Sequence, residues 1–160
     1  MSLKEKNRKI LVTSALPYAN SPLHLGHIIE NVQTDIWVRF QKINGNECTY
    51  VCADDAHGTP IMLKSEELKI TPEELIADIY KDHKETLEQF NIGHENFYTT
   101  HSDENKELSE LIFKRLQEKN LIENKVIKQL YDKEKKIFLS DRYIKGTCPK
   151  CKTDDQYGDN

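Results

Sequence analysis

The 160-residue sequence predicts an α/β fold built on a parallel sheet. Three stretches near its start carry that prediction. Lys9–Leu16 (KILVTSAL) is a short apolar run with β-branched residues, the pattern of a buried strand. From His24 to Ile43, the residues Leu25, Ile28, Ile29, Val32, Ile36, Phe40 and Ile43 recur at three- and four-residue steps, the period of an amphipathic helix. Glu47–Ala53 (ECTYVCA) is a second strand-like run. Strand, helix, strand is a βαβ unit, and it points to parallel strands joined by a right-handed crossover.

The other elements follow in order. Pro17–Pro22 (PYANSP) is a turn between the first strand and the helix, rich in the residues that reverse a chain. Asn44-Gly45 closes the helix. Asn-Gly also closes hairpins, but a helical period precedes it, so Gly45 reads as the left-handed residue just past a helix C-terminus. Thr71-Pro72-Glu73-Glu74 opens another helix: Thr71 caps it, Pro72 takes the first position, and Glu74 returns a bond to Thr71. Leu75, Ile76, Ile79, Tyr80, His83, Leu87 and Phe90 form its inward stripe. Asn96–Thr100 is a third short strand, and Ser102 caps a helix bearing Leu108, Leu111, Ile112 and Leu116. Beyond Asn120, Lys125–Leu130 and Lys136–Leu139 read as short strands joined by Tyr131–Lys135, and Lys152–Asn160 is polar without periodicity. A boundary near His101 or Ser102 separates the α/β elements from a helix and a hairpin-like region.

Composition narrows the function. With 27 acidic residues against 23 Lys and Arg, the net charge is −4, which argues against coating nucleic acid by bulk charge and leaves local RNA contact open. Hydrophobic residues make up 37% of the chain and mean hydropathy is −0.72. Much of the surface is therefore charged, or some apolar surface awaits a partner segment. No run approaches the ~18 apolar residues of a membrane helix, and Met1–Lys9 is followed by no apolar core of a secretory signal. Four cysteines are too few for a disulfide scaffold.

Three constellations bear chemistry. Pro17–His27 (PYANSPLHLGH) leaves a strand and opens a helix, the crossing where doubly wound sheets bind ligands. A helix N-terminus offers free N–H groups and partial positive charge to a phosphate. His24 and His27 share one side of the first turn, and Gly26 between them lets a ligand approach the backbone. The pair reads either as stabilisers of charge growing on a phosphate or as two half-buried histidines at a helix start. Zinc is disfavoured, since zinc-binding helices use an i, i+4 pair. Asp54-Asp55 ends the second strand. Alternation sends their carboxylates to opposite faces, so they do not share a metal; they remain either ligands of a cation or solvated turn residues. Cys148-Pro149-Lys150-Cys151 is either half of a zinc knuckle or two free thiols. Cys48 and Cys52 read as buried small apolar residues.

Three segments together resemble a known family: Ala15–Asn20 (ALPYAN), His24–His27 (HLGH) and Ala53–Ile61 (ADDAHGTPI). They are similar, in the same order, to the N-terminal catalytic region of the methionyl-tRNA synthetases, class I aminoacyl-tRNA synthetases. His24–His27 looks like the class I HIGH signature with Leu25 in place of isoleucine, a common variant. The resemblance implies residues 1–101 as the first half of a Rossmann-type catalytic domain with a parallel sheet. It implies residues 102–160 as the start of a connective domain with a partial zinc knuckle. It also implies a ligase that activates methionine with ATP to methionyl-adenylate and passes it to tRNA(Met), as translation and its initiation require. By the same resemblance His24 and His27 are catalytic, and Pro17, His24, Gly26 and His27 bind ATP. Leu16 and Tyr18 line the methionine pocket, and Asp55 meets the substrate ammonium. His57 and Thr59 lie near the same loop. Cys148 and Cys151 are zinc ligands in a site for one zinc, incomplete here. Mg²⁺ accompanies ATP, the location is cytoplasmic without a membrane partner, and the complete protein is a monomer or homodimer. The sequence departs from the family in having no second CxxC, no KMSKS segment and no anticodon-binding domain. The expectation is therefore the front of a longer protein, with the piece alone inactive. Two alternatives stay open: a fragment that only binds ATP or amino acid, and a class I synthetase for another aliphatic amino acid.

Overall fold

The computed structural model describes residues 7–134, 137–139 and 144–157. The chain divides into two compact units, with the division at Lys106 and Glu107.

The first unit holds a three-stranded sheet in the order β1 (Lys9–Val12), β2 (Glu47–Asp54), β3 (Asn96–Thr99). Both pairings are parallel: Lys9–Val12 lies along Glu47–Tyr50, and Val51–Asp54 along Asn96–Thr99. The helices are α1 (Leu25–Ile43), α2 (Thr59–Leu68) and α3 (Pro72–Gln89). α4 (Asp103–Glu118) follows β3, with Ser102 Oγ accepting the Asn105 N–H at 3.2 Å as its cap.

β1 stops at Val12 rather than running to Leu16. The chain leaves the sheet there and rejoins it at Tyr18, which pairs with Asp55 in a parallel bridge. From Val12 to Tyr18 is six steps, while their partners Tyr50 and Asp55 are five apart. The extra residue makes the chain bow out between the two pairings. Asp55 N–H donates to the Pro17 carbonyl at 2.8 Å, and Ala19 N–H donates to the Asp55 carbonyl at 2.9 Å.

Cys48, Tyr50, Cys52 and Asp54 alternate along β2 and are all buried, so one face of the strand is covered. Val38 of α1 packs on Cys48 and Tyr50, with Ile10, Val12 and Ile92 around them. A second cluster of Ala19, Ala56, Ile61, Leu75 and Ile76 joins α2 and α3 to the turn before α1. Burying an aliphatic side chain contributes about 1.5–3 kcal/mol, and the second cluster fastens Ala19 of that turn to α2 and α3.

α1 is present, but its buried line is Ile28, Asn31, Asp35 and Val38. Leu25, Ile29, Ile36, Phe40 and Ile43 of the expected stripe are exposed. The polar members of the buried line are satisfied: Asp35 accepts from the Gly93 N–H at 2.9 Å and from Arg39, and Asn31 is bonded on both sides. Gly45 has φ +83° after the Asn44 cap, as expected. The reciprocal bonds of Thr71 and Glu74 are present at the start of α3. Phe90, expected inward, caps that helix and is exposed. α2 was not expected; its signal was Pro60 in the first helical turn.

In the second unit, β4 (Tyr131–Asp132) pairs antiparallel with β5 (Ile137–Phe138). The expected strand Lys125–Leu130 is not formed, and pairing starts at Tyr131, inside the expected connection. Asp132 Oδ1 accepts the Glu134 N–H at 2.8 Å, starting the turn there. The Tyr131 ring meets Phe138 edge-on, with centroids 5.0 Å apart. Lys135 and Lys136 of these expected segments lie outside the described residues, as do residues 1–6 of the basic lead and 158–160 of the tail. β6 (Lys145–Gly146) and β7 (Gln156–Tyr157) form a second hairpin, whose second strand lies in the polar stretch Lys152–Asn160 that shows no periodicity. No described helix is long and apolar enough to cross a membrane.

Candidate functional site

The first turn of α1 is built from its two histidines. His24 is the N-cap in extended backbone geometry. Its Nδ1 accepts the Gly26 N–H at 3.1 Å, and its own N–H donates to His27 Nδ1 at 3.4 Å. Imidazoles thus perform the reciprocal capping usually done by a hydroxyl and a carboxylate. The rings stack with centroids 3.7 Å apart and 18° between planes. Each Nδ1 is used as an acceptor, so in the neutral rings the proton sits on Nε2 and remains available to an outside oxygen. Burial lowers the pKa of His27, His24 and His83 lower it further, and Glu30 opposes them. A Cβ on Gly26 would stand 2.9 Å from His24 Cε1 and 3.1 Å from Nδ1. The space at Gly26 is therefore occupied by the His24 ring, where the sequence suggested room for a ligand.

A buried polar floor holds this turn against the sheet. Ser14 Oγ lies 3.1 Å from Asn31 Oδ1 and 3.0 Å from the Tyr50 hydroxyl, which donates to Asn31 Oδ1 at 3.1 Å. Asn31 Nδ2 donates to the His27 carbonyl at 2.9 Å. Ala15 N–H donates to Glu30 Oε1 at 2.7 Å. The bowed segment after β1 is thus bonded to α1. Cys48 and Cys52 are free and buried as expected, and burial raises the pKa of Cys52, which suits an inert thiol.

Tyr18 and Asp55 come side by side through their backbone bridge, with buried Pro17 and half-exposed Leu16 leading into it. The Tyr18 hydroxyl donates to the His57 carbonyl at 2.8 Å. Gly58 has φ +116°, and a Cβ there would lie 2.9 Å from that hydroxyl; conformation and space both require glycine. His57 Nε2 approaches His101 Nδ1 at 3.3 Å.

The two aspartates point to opposite faces, as alternation requires: Asp55 is exposed and Asp54 fully buried. Asp54 is not a solvated turn residue. Its Oδ1 lies 2.8 Å from Nδ1 of His83, itself fully buried, and His83 Nε2 lies 2.8 Å from the Ser21 carbonyl. The sequence reading placed His83 only in the stripe of α3. The available signal was an imidazole among aliphatic neighbours, opposite an aspartate on the inward face of a strand.

The family model described as "tRNA synthetases class I (M)" matches residues 10–160. The chain belongs to the class I tRNA synthetases. Solved structures of synthetases share its fold. Mycobacterium tuberculosis methionyl-tRNA synthetase with methionyl-adenylate aligns at TM-score 0.67 and 21% identity, covering 70% of this chain and 22% of that one. A second structure of that enzyme with methionyl-adenylate gives 0.66 and 22%, covering 69% and 22%. The Agrobacterium radiobacter K84 LeuRS in a ternary complex with tRNA and LeuAMS gives 0.73 and 20%, covering 96% and 20%. The synthetase chain described here spans about a fifth of the length of these matches.

In the second unit of this synthetase, Cys148 N–H donates to the Thr153 carbonyl and Lys152 N–H to the Cys148 carbonyl, at 2.8 and 3.0 Å, forming a tight turn between β6 and β7. Cys151 Sγ lies 3.2 Å from Thr153 Oγ1. Hydrogen bonds from Thr153, and one with Cys148, bring the Cys151 pKa down to about 7, and thiolate is the form that binds metal. Structural zinc takes four such donors. Among the described residues, no group of three or more His, Cys, Asp or Glu side chains could hold a metal ion. Cys148 and Cys151 thus make up half a donor set, and by themselves they do not fit a structural zinc.

Proposed function

We propose that this chain is the N-terminal part of a methionine–tRNA ligase. The observation that carries the reading is the stacked pair His24 and His27 capping α1 just beyond the carboxyl end of a parallel strand, beside the Tyr18–Asp55 bridge. Both imidazoles keep Nε2–H free for oxygen acceptors, and the helix start adds partial positive charge. In this reading ATP lies over Pro17 and the turn of His24, Gly26 and His27, and meets the His24 ring where it covers Gly26. The methionine carboxylate attacks the α-phosphorus, the bond to pyrophosphate breaks, and the histidines stabilise the charge on the phosphoryl group. Mg²⁺, when bound with ATP, neutralises phosphate charge. Asp55 receives the substrate ammonium in a charge-assisted contact, with Leu16 and Tyr18 against the side chain. The complete protein then transfers the methionyl group to tRNA(Met). Residues 1–101 are the first catalytic half and residues 102–160 the start of the connective domain, where Cys148 and Cys151 supply two ligands of a zinc site.

The test is ATP–pyrophosphate exchange by the complete protein. His24→Ala and His27→Ala each lower the rate by about 10²-fold or more and leave methionine binding intact, while Asp55→Ala raises the KM for methionine. Near-normal exchange in all three variants overturns the assignment. The leucine enzyme's likeness over 96% of the chain favours one second reading, a class I synthetase for another aliphatic amino acid. Pocket shape separates such substrates by only ~1–3 kcal/mol per methylene. Exchange driven by leucine and not by methionine decides for that reading, and no exchange with any amino acid leaves a binding module.

A further inference from the structure

The buried pair of Asp54 and His83 lies outside the residues assigned to substrate. His83 Nδ1 faces Asp54 Oδ1 and Nε2 faces the Ser21 carbonyl, both at 2.8 Å. A carbonyl only accepts, so Nε2 carries a proton; in the doubly protonated ring Nδ1–H donates to the Asp54 carboxylate. Asp54 Oδ2 is buried with no partner among the described residues. A buried ion pair with an orphan oxygen is a poor device for stability alone, since apolar residues of like volume usually serve as well or better. Its placement suggests another use. Ser21 stands three residues before His24, with only Pro22 and Leu23 between, and Asp54 immediately precedes Asp55 on the opposite face. One contact therefore ties the strand end that carries Asp55 to the turn that delivers His24.

We propose that His83, clamped between the Asp54 carboxylate and the Ser21 carbonyl, is a positioning residue that sets the His24–His27 turn against the amino-acid site. The proposal rests on the ATP-site reading above. The charged groups acting on His83 or acted on by it are Asp54 from β2, Asp82 on its own helix and His27 at the start of α1. Burial pulls the His83 pKa down, but the bonds to Asp54 and Ser21 and the charges of Asp54 and Asp82 outweigh it, and the pKa is raised. The doubly protonated ring therefore persists above the ordinary histidine range and is lost as pH rises. The clamp opens as pH rises through the raised His83 pKa.

The complete synthetase tests this with two amides. Asparagine places its amide nitrogen near the position of Nδ1, and glutamine near that of Nε2. His83→Asn keeps the donor to Asp54 and drops the bond to Ser21; His83→Gln does the reverse. Expected is a loss of ATP–pyrophosphate exchange of about tenfold or more in both His83→Asn and His83→Gln, since each opens one side of the clamp, with methionine affinity within about twofold. Wild-type exchange in either variant overturns the proposal, as does a loss of methionine affinity as large as the loss of exchange. Should His83→Asn fail to fold, Asp54→Asn decides. Opening of the clamp is expected to raise the KM for ATP as pH climbs through the His83 pKa; with the carboxylate gone that rise moves to lower pH, and an unmoved profile overturns the clamp. His24→Ala run in parallel separates the two readings. If it exchanges normally, the ATP site is misassigned and the clamp falls with it. If it is inactive while His83→Asn is normal, only the clamp fails.

Discussion

Gly26 shows how a single hydrogen can decide a site. Its missing side chain leaves room for the His24 ring to fold back onto the helix start and accept the Gly26 N–H. Gly26→Ala would place a carbon 2.9 Å from that ring, closer than non-bonded carbons pack, and the ring must swing away. The stability changes nearly offset: alanine gains up to ~1 kcal/mol over glycine in a helix, and loss of the cap costs about 1 kcal/mol. Expected is a near-normal melting midpoint with exchange reduced about tenfold or more, read from thermal unfolding and the exchange assay on the complete protein. Ser14, Asn31 and Tyr50 carry no local signal of the network they form, because it joins positions 17 and 36 residues apart.

Among the elements, those with local instructions were legible. Thr71 and Glu74 bond one another across a single helical turn, with Glu74 Oε2 2.8 Å from the Thr71 N–H and the Thr71 hydroxyl 3.2 Å from the Glu74 N–H. The Thr71 N–H and the Thr71 hydroxyl, which donates to Glu74 Oε2 at 3.0 Å, lower the pKa of Glu74. Thr71→Ala removes the side-chain half of this cap and is expected to cost about 1 kcal/mol, measured by denaturant unfolding; no change would mean that tertiary packing alone sets the start of α3. Elements that depend on partners were misjudged. β1 is four residues shorter than its apolar run, because that run continues past the point where the chain bows out. β4 shifted because the turn at Asp132 and the Tyr131–Phe138 contact, not the apolar run before them, decide the pairing.

For the molecule as a whole, the orientation of α1 has the widest consequence. The helix is apolar on two sides, and it turns Ile28 and Val38 to the sheet while Leu25, Ile29, Ile36, Phe40 and Ile43 remain exposed. Contiguous apolar surface of this kind marks an interaction face or an aggregation liability. The 160-residue chain by itself is therefore expected to bind an apolar-surface dye. Ile36→Lys with Phe40→Lys should weaken the dye signal while changing stability by only about 0.5 kcal/mol per site. Unchanged dye binding would place the accessible surface elsewhere.

The sequence by itself determined the parallel α/β order, the caps at Thr71 and Ser102, the left-handed Gly45, and the HLGH turn at a strand-to-helix crossing. All of these follow from periodicity or from bonds within a few residues, which the local order of residues specifies. Only the tertiary structure decided which side of α1 is buried, that His24 fills the space at Gly26, and that Asp54, His83 and Ser21 meet. The last of these depends on atoms 29 and 62 residues apart being brought within hydrogen-bonding distance, and buried polar groups take whatever partner the packing delivers because being left unpaired costs more.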